Sequence, residues 1–330
     1  VGFAGAGGSC RAIAEATGRS PDVAMNHDAV ALDCHARNHP ATRHLLGDIW
    51  DADPRAVAAG EPIDIAHFSP DCRHYSRLRG GRPRNVRVRT LPWVAHRWAK
   101  AVRPRLLTVE CTVELESWGP LLPNKQPDPA REGETFKAWF GAFGRLGYHG
   151  SKRVLRACDY GDRTSRRRLF VVFSLDGEPR WPEPVRGIDV SALGCIDWSV
   201  PWSDEPIPEA AAYRRPRALE RAVDVAGVGR VGMVTVGYGE HATQLPRALD
   251  LKKPLGTVVA GGIKHALVTD DGRWRRLTPR EGANAMGFPS TYWLPETPSV
   301  AQRLVGNAVP IKTVAALIRA NLTQESQCAA

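Results

Sequence analysis

At 330 residues with a formal net charge of +10, the chain exceeds the usual size of one domain, and a large domain plus a smaller one is expected. Hydrophobic residues make up 43% and charged residues 24%, as in a globular protein, while 45 Lys and Arg against 35 Asp and Glu favour a polyanionic partner. Seven irregularly spaced cysteines without a CxxC pair argue against a disulfide framework and against a zinc site. With no signal-peptide pattern and no apolar run of bilayer length, a cytoplasmic protein without membrane contact is expected.

In chain order, Val1 to Gly5 reads as the end of a strand, with Ser9 capping a helix that runs through Arg11, Ile13 and Ala16 to Gly18. Val23-Ala24-Met25 is a second strand, Ala29 to about Arg37 a helix, and Ile63 to Phe68 a third strand. Trp93, Val94, Trp98 and Val102 have helical spacing, and Pro104 ends that helix before the apolar strand Leu106 to Val109. Phe136 to Leu146 reads as a helix, followed by strands around Val154-Leu155 and Leu169 to Phe173. Such alternation predicts an α/β fold with a doubly wound, mostly parallel sheet.

After Ser174 the rhythm breaks at Pro179, Pro182, Pro184, Pro201, Pro206 and Pro208, and short strands near Met233 to Val236 and Thr257 to Val259 predict a small β-rich domain. A helical pattern returns from Val300, where Val314, Leu317, Ile318 and Leu322 form an apolar stripe that is expected to pack back on the large domain.

Several segments carry chemistry. Glycines after a strand, as in Phe3-Ala4-Gly5-Ala6-Gly7-Gly8, let backbone amides approach a nucleotide-like ligand. A tight turn or a nicotinamide site would also use them, although the full GxGxxG spacing is missing. Cys72 follows a strand among Arg73, His74, Arg77 and Arg79, surroundings that favour thiolate, with Asp71 opposing if its carboxylate faces the sulfur. Glu110 ends an apolar strand, where it can serve as an acid or only as half of a salt bridge. Arg166 and Arg168 alternate about Arg167 and would share one face of a strand, as oxygen-binding donors or as a solvated edge. A thiol, an acid and guanidinium donors together suit attack at carbon 6 of cytosine, which makes carbon 5 able to accept a methyl group.

In order along the chain, these segments resemble the motifs of the cytosine-5 DNA methyltransferase family, whose fold is the class I methyltransferase type. Phe3 to Gly8 is similar to the first cofactor motif, and Asp48-Ile49 to the acidic position that holds the adenine amine. Ser69 to Ser76 resembles the catalytic loop, Glu110 the acid of the Glu-Asn-Val motif, and Tyr160 to Phe170 the Arg-x-Arg motif. Arg276 to Glu281 with Gly287-Phe288-Pro289 is similar to the ninth motif, and Gly306 to Pro310 to the tenth.

The resemblance implies S-adenosylmethionine as cofactor, held by Phe3, Ala4, Gly5, Gly7, Gly8, Asn26, Asp48, Ile49, Pro70, Asn307 and Ala308. It implies double-stranded DNA as substrate and catalysis by Cys72, Glu110, Arg166 and Arg168, with Arg168 on the cytosine oxygen and Arg166 supporting the loop. DNA contacts are expected from Arg73, Ser76, Arg77, Arg79, Arg82 and Arg84, with Arg87 and Arg89 beyond, on a lid hinged at Gly80 and Gly81. The catalytic domain is expected over 1–190 plus 300–330 and a target-recognition domain over 191–299. Within the latter, Tyr238, His241, Gln244, Thr257 and Lys264 would lie near bases, and Tyr213 to Arg217 with Arg221 near phosphates.

The chain departs from the family at Asp71 (for Pro), Cys111 (for Asn), Thr164 (for Gln), Arg163 (for Pro) and Asn26 (for an acid). A tRNA-methylating branch sharing the motifs and a non-catalytic DNA-binding relative are the alternatives. A monomer is expected, in either a restriction-linked role with a cognate endonuclease or a role in phage DNA protection.

Overall fold

The computed structural model of the chain describes residues 1–75, 84–236 and 247–322. By contact density it divides into two compact units: Val1–Arg156, Arg167–Glu183 and the chain from Thr313 on, then Ala157–Arg166 with Pro184–Lys312. The sequence expectation cut the chain at 190 and 300. The decisive difference is 157–166, which hydrogen-bonds to residues far along the chain: Ser165 N–H donates to Leu255 O at 2.7 Å, Leu255 N–H to Arg163 O at 2.8 Å, and Arg163 N–H to Ala285 O at 2.9 Å.

The first unit holds α1 (Gly8–Thr17), β1 (Val23–Asn26), α2 (Ala29–Asn38), β2 (Arg43–Leu46), α3 (Pro54–Ala58), β3 (Ile65–Phe68), α4 (Val86–Arg89), α5 (Pro92–Val102), β4 (Leu106–Cys111), α6 (Glu134–Gly144), β5 (His149–Arg156) and β6 (Arg167–Ser174). β1 and β2 pair in parallel, as do β3 and β4, and Gly2 bridges Met25 and Phe68, both in parallel. The order across the sheet is therefore β2, β1, the Gly2 segment, β3, β4, β6, β5. Parallel pairing ends at β4, since β6 runs antiparallel to both β4 and β5.

All six residues of β4 are buried. Its alternate residues Leu107, Val109 and Cys111 join Leu169, Val171 and Phe173 in one core cluster with Val94, Trp98, Trp139 and Phe143 of α5 and α6. Phe143 stacks on Phe173 with ring centroids 3.7 Å apart, and Trp139 Nε1 donates to Pro92 O at 2.9 Å, so the indole is buried with its N–H satisfied. Ser9 does not cap α1: Gly7 holds the N-cap position at φ 98°, and Ser9 is buried in the first turn.

The second unit begins its regular structure with α7 (Glu209–Leu219), followed by β7 (Val223–Val225), β8 (Gly229–Thr235), β9 (Ala248–Leu249), β10 (His265–Thr269), β11 (Trp274–Arg276), α8 (Pro279–Ala285) and α9 (Pro298–Asn307). Its sheet is antiparallel in the order β11, β10, β8, β7, with β9 also on β8. Ala211 and Ala218 of α7 pack on Val234, Val236, Ala266 and Val268.

Of the arginines of α7, Arg214 and Arg215 are engaged within the fold, contrary to the expectation of phosphate contacts for them. Arg214 is buried, Arg215 Nε donates to Thr269 O at 2.8 Å, and Arg217 pairs with Glu220. At α8, Thr278 and Glu281 form a capping box, and the fully buried Glu281 carboxylate also binds Arg275 Nη2 at 2.7 Å. α10 (Ile311–Asn321) completes the chain's helices among the described residues; from Thr313 on it belongs to the first unit, where Arg180 N–H donates to Asn321 Oδ1 at 2.8 Å.

α2 meets β2 through histidines. His35 Nδ1 and His44 Nε2 are 2.8 Å apart, and the His39 ring lies 4.7 Å from that of His35, one helical turn away. Burial, reinforced by the neighbouring histidines, lowers the His35 pKa to about 3; burial likewise lowers that of His39 to about 4. Both are neutral in the folded chain where the unfolded chain, with histidines near 6.5, already binds protons. Stability is thus full above pH 6.5 and falls as pH drops toward 4, by at most about 1.4 kcal/mol per pH unit for each histidine. Urea denaturation at a series of pH values should show this slope and its flattening in His35→Asn/His39→Asn; equal slopes in both proteins would remove the cluster as its source.

Candidate active site

Ligands of open α/β sheets bind beyond the carboxyl ends of parallel strands. In the first unit five such ends stand side by side, those of β2, β1, the Gly2 segment, β3 and β4. The Gly2 segment leads into a turn in which Phe3, Gly5 and Gly7 have φ of 58°, 54° and 98°, and Ala4 N–H donates to Met25 O at 3.0 Å. β1 ends at Asn26, whose Oδ1 accepts from Asp28 N–H at 3.2 Å, while the Asp28 carboxylate caps α2. Beyond β2 come Gly47, Asp48 and the buried Ile49; Asp48 Oδ1 accepts from Trp50 N–H and Oδ2 from Arg87 Nη2, each at 3.0 Å. β3 runs into Ser69, Pro70, Asp71 and Cys72.

The sequence-predicted residues Phe3 to Gly8, Asn26, Asp48, Ile49 and Pro70 thus fall at neighbouring strand ends of one unit. Asn307 and Ala308 belong to the second unit, at the end of α9, where Ala308 N–H donates to Val305 O at 3.1 Å.

Cys72 is half-buried against the core cluster, and its carbonyl accepts from Tyr75 N–H at 3.0 Å in a turn. Asp71 is engaged by Arg73, which approaches Oδ2 through Nε at 2.8 Å and donates its backbone N–H to Oδ1 at 2.8 Å. Burial pushes the Asp71 pKa up, yet the hydrogen bonds and charge of Arg73 outweigh it, and the net shift is downward. Cys111 lies in the core, where burial first, then the neighbouring Cys72 and Glu110, raises its pKa well above the ordinary thiol value. In place of the family's asparagine the chain therefore has a protonated, buried thiol, which is chemically quiet.

On β4, Glu110 is 6% exposed, and Arg168 Nε on the adjacent β6 stands 3.1 Å from its Oε1. The Arg168 side chain is itself only 14% exposed, so the pair forms in a setting of low polarity.

Arg166 is not a strand partner of Arg168. β6 starts at Arg167, and Arg166 belongs to the second unit, where its Nη1 donates to Val258 O at 3.0 Å. Thr257 and Lys264 lie in that unit as well, and Lys264 O accepts from Val236 N–H at 2.8 Å. Gly306 has no room for a side chain, since a Cβ would stand 2.2 Å from Ala260 N. Close packing of α9 on 259–260 accounts for this glycine.

Arg73 is exposed, whereas Arg84 is 8% exposed, with its N–H donating to Lys125 O at 3.0 Å. Ser76, Arg77, Arg79, Arg82, Tyr238, His241 and Gln244, with the Gly80-Gly81 pair, lie outside the described residues. Sequence reasoning missed the inward turn of Arg89; in an arginine-rich stretch no sequence signal separates a buried guanidinium from an exposed one.

The half-buried Cys72 thiol beyond β3 and the Glu110–Arg168 pair on β4 and β6 thus belong to one α/β unit. The chain matches the model of the C-5 cytosine-specific DNA methylases over residues 3–186 and 232–322, and it belongs to that family of S-adenosylmethionine-dependent DNA cytosine-5 methyltransferases. It is 26% identical to the Type II methyltransferase M.SacI of Streptomyces achromogenes, over 92% of this chain and 84% of that one. It is 28% identical to the Type II methyltransferase M.NlaX of Neisseria lactamica, over 88% and 84%. Among solved structures it resembles the Dnmt2 methyltransferase of S. pombe, with a TM-score of 0.65 at 15% identity over 96% and 95% of the two chains. The Entamoeba histolytica methyltransferase EhMeth gives a TM-score of 0.64 at 13% identity over 96% and 95%. These two share the fold.

Removing one partner of a buried ion pair strands the other charge, at a cost of about 3 kcal/mol or more. Arg168→Met should lower stability by this amount at neutral pH, and Glu110→Gln in the same chain should recover much of it. A double-mutant cycle by urea denaturation measures the coupling, and additive losses would show that the pair contributes nothing.

Proposed function

We propose that Cys72 is the nucleophile that adds to carbon 6 of a target cytosine, with Glu110 as its acid partner and Arg168 on the ring oxygen. The observation that carries this reading is the buried Glu110–Arg168 pair, with Glu110 on β4 beside β3, the strand that leads to Cys72, and Arg168 on β6 beyond β4, all in one unit. Carbon 5 of cytosine is a poor nucleophile, and thiolate addition at carbon 6 gives it enamine character. In the protonated form, released from its pair with Arg168, Glu110 donates a hydrogen bond or a proton at ring nitrogen 3, and the freed Arg168 guanidinium stabilises charge that grows on the oxygen. Once carbon 5 is methylated, its hydrogen leaves as a proton to a water molecule, the Cys72 thiolate departs, and any proton held at nitrogen 3 returns to Glu110, which restores the ring. Arg166 acts from the second unit by holding the Val258 segment.

S-adenosylmethionine, when bound, supplies an electrophilic methyl group. The strand-end residues fit such a group. At Gly5 the nearest atom to the place of a Cβ is Phe3 O at 4.0 Å, which leaves open space over the turn. The Asp48 carboxylate, 36% exposed, can accept from an adenine amine. Asn26 stands where the family has a ribose-binding acid and offers an amide to the same hydroxyls.

The cytosine must leave the duplex to reach Cys72, at a cost of a few kcal/mol. Sequence reading is assigned to the second unit, with Thr257, Lys264, Tyr238, His241 and Gln244 as its readers. Exposed Arg73 is assigned to the DNA backbone together with Ser76, Arg77, Arg79 and Arg82, while the buried Arg84 and Arg89 are not. The Type II names of the relatives favour a role beside a cognate restriction endonuclease, and the reading includes a monomeric, cytoplasmic enzyme.

Nucleoside mass spectrometry of duplex DNA incubated with S-adenosylmethionine is expected to show deoxycytidine gaining one methyl group with the wild-type chain and none with Cys72→Ala. Methylated cytidine in tRNA alone would transfer the reading to RNA, and no product with either would support a binding-only protein. Glu110→Gln should slow transfer by about a hundredfold or more while duplex binding persists, since an acid of this kind contributes on that order. Unchanged turnover would take Glu110 out of the mechanism.

A further inference from the structure

Arg89, the last residue of α4, is 5% exposed and reaches three separate stretches of the first unit. Its Nη1 donates to His74 O at 3.0 Å, on the stem that carries Cys72. Its Nη2 donates to Gly119 O at 2.9 Å, on the segment that leaves β4 beyond Glu110. The guanidinium carbon lies 5.0 Å from the Tyr75 ring centroid, and the Tyr75 hydroxyl donates back to Arg89 O. A further bond closes the same joint: Asn85 N–H donates to His74 Nδ1 at 2.7 Å.

The groups facing Arg89 are neutral carbonyls and an aromatic face, so burial of its charge is not offset by a carboxylate among these contacts. What the arrangement supplies is geometry: a planar fork that binds two carbonyls and stacks at once, which an ammonium does not reproduce.

We infer that Arg89 is a positioning residue for the nucleophile, joining the Cys72 stem, α4 and the exit of the Glu110 strand so that thiol and acid keep a fixed separation. The inference rests on the assignment of Cys72 as nucleophile. Misplacement of a reacting group by about 1 Å can cost a hundredfold in rate.

Arg89→Lys keeps the charge and loses the fork; Tyr75→Phe removes only the hydroxyl bond and serves as a milder second variant. Both are compared with wild type for kcat, for KM toward duplex DNA and S-adenosylmethionine, for thermal midpoint, and for the rate of covalent capture on a duplex containing 5-fluorocytosine. Arg89→Lys should lower kcat and capture rate together by about tenfold or more, with both KM values within about threefold and a cooperative thermal transition retained. Tyr75→Phe should shift the same two rates in the same direction by a smaller factor.

Two results would overturn the inference: wild-type capture and kcat in folded Arg89→Lys, or a loss confined to KM for DNA, which would mark a phosphate contact. If Arg89→Lys does not fold, unaltered rates in Tyr75→Phe would overturn it instead. Cys72→Ala is the separate control: capture persisting there refutes the nucleophile assignment itself, whatever Arg89 does.

Discussion

Gly2 threads between β1 and β3 with its N–H on His67 O at 2.8 Å, bridging Met25 on one side and Phe68 on the other. A Cβ at this position would stand 2.5 Å from Phe68 Cδ1 and 2.6 Å from Ile49 Cδ1, so only glycine fits. This contact joins the β1–β2 pair to the β3–β4–β6–β5 sheet and sets five parallel strand ends in a row. The Gly-rich turn, Asn26, Asp48 and Cys72 are neighbours because of it. Without that bridge the same residues would sit at the ends of two unconnected sheets.

The basic surplus of the chain is spread over two kinds of arginine. Arg73 and Arg87 are exposed and engage Asp71 and Asp48, contacts that are worth little in water. Arg89, Arg166, Arg214 and Arg275 are buried. For Arg89, Arg166 and Arg275 the structure gives partners that lie far off in sequence: His74, Gly119, Val258 and Asp197 carbonyls. Net charge therefore overstates the part of the molecule that can meet a polyanion, since several guanidiniums tie backbone together inside the fold.

Much of the first unit was legible because its signals are local. An unbroken apolar run gave β4, helical spacing of Trp93, Val94 and Trp98 gave α5, and strand-end glycines gave the turn before α1. Cys72 and Glu110 could be placed at strand ends from the apolar residues before them. Illegible features depended on pairing between distant residues: the antiparallel return of β6, the departure of Arg166 from the strand, and the burial of Arg84 and Arg214. Alternation of Arg166 with Arg168 looked like one strand face, but a strand begins where its ladder does, and Arg166 is bonded to Val258 instead. The Ser9 cap failed for a local reason, since a left-handed glycine at the N-cap already shapes the turn.

The second unit is not a continuous stretch of sequence. Residues 157–166 lie between two paired strands of the first unit, yet Thr164 bridges Leu255 in parallel, and Leu255 exchanges backbone bonds with Arg163 and Ser165. Recombination that exchanged only 184–312 between relatives would import Leu255, Val258 and Ala285 while keeping the old loop that must meet them. Arg166, bonded to Val258, would be parted from its native neighbour in the same event. The second unit is thus encoded by two co-adapted pieces of the gene rather than one cassette, and a chimaera is expected to fold best when the short piece travels with the long one.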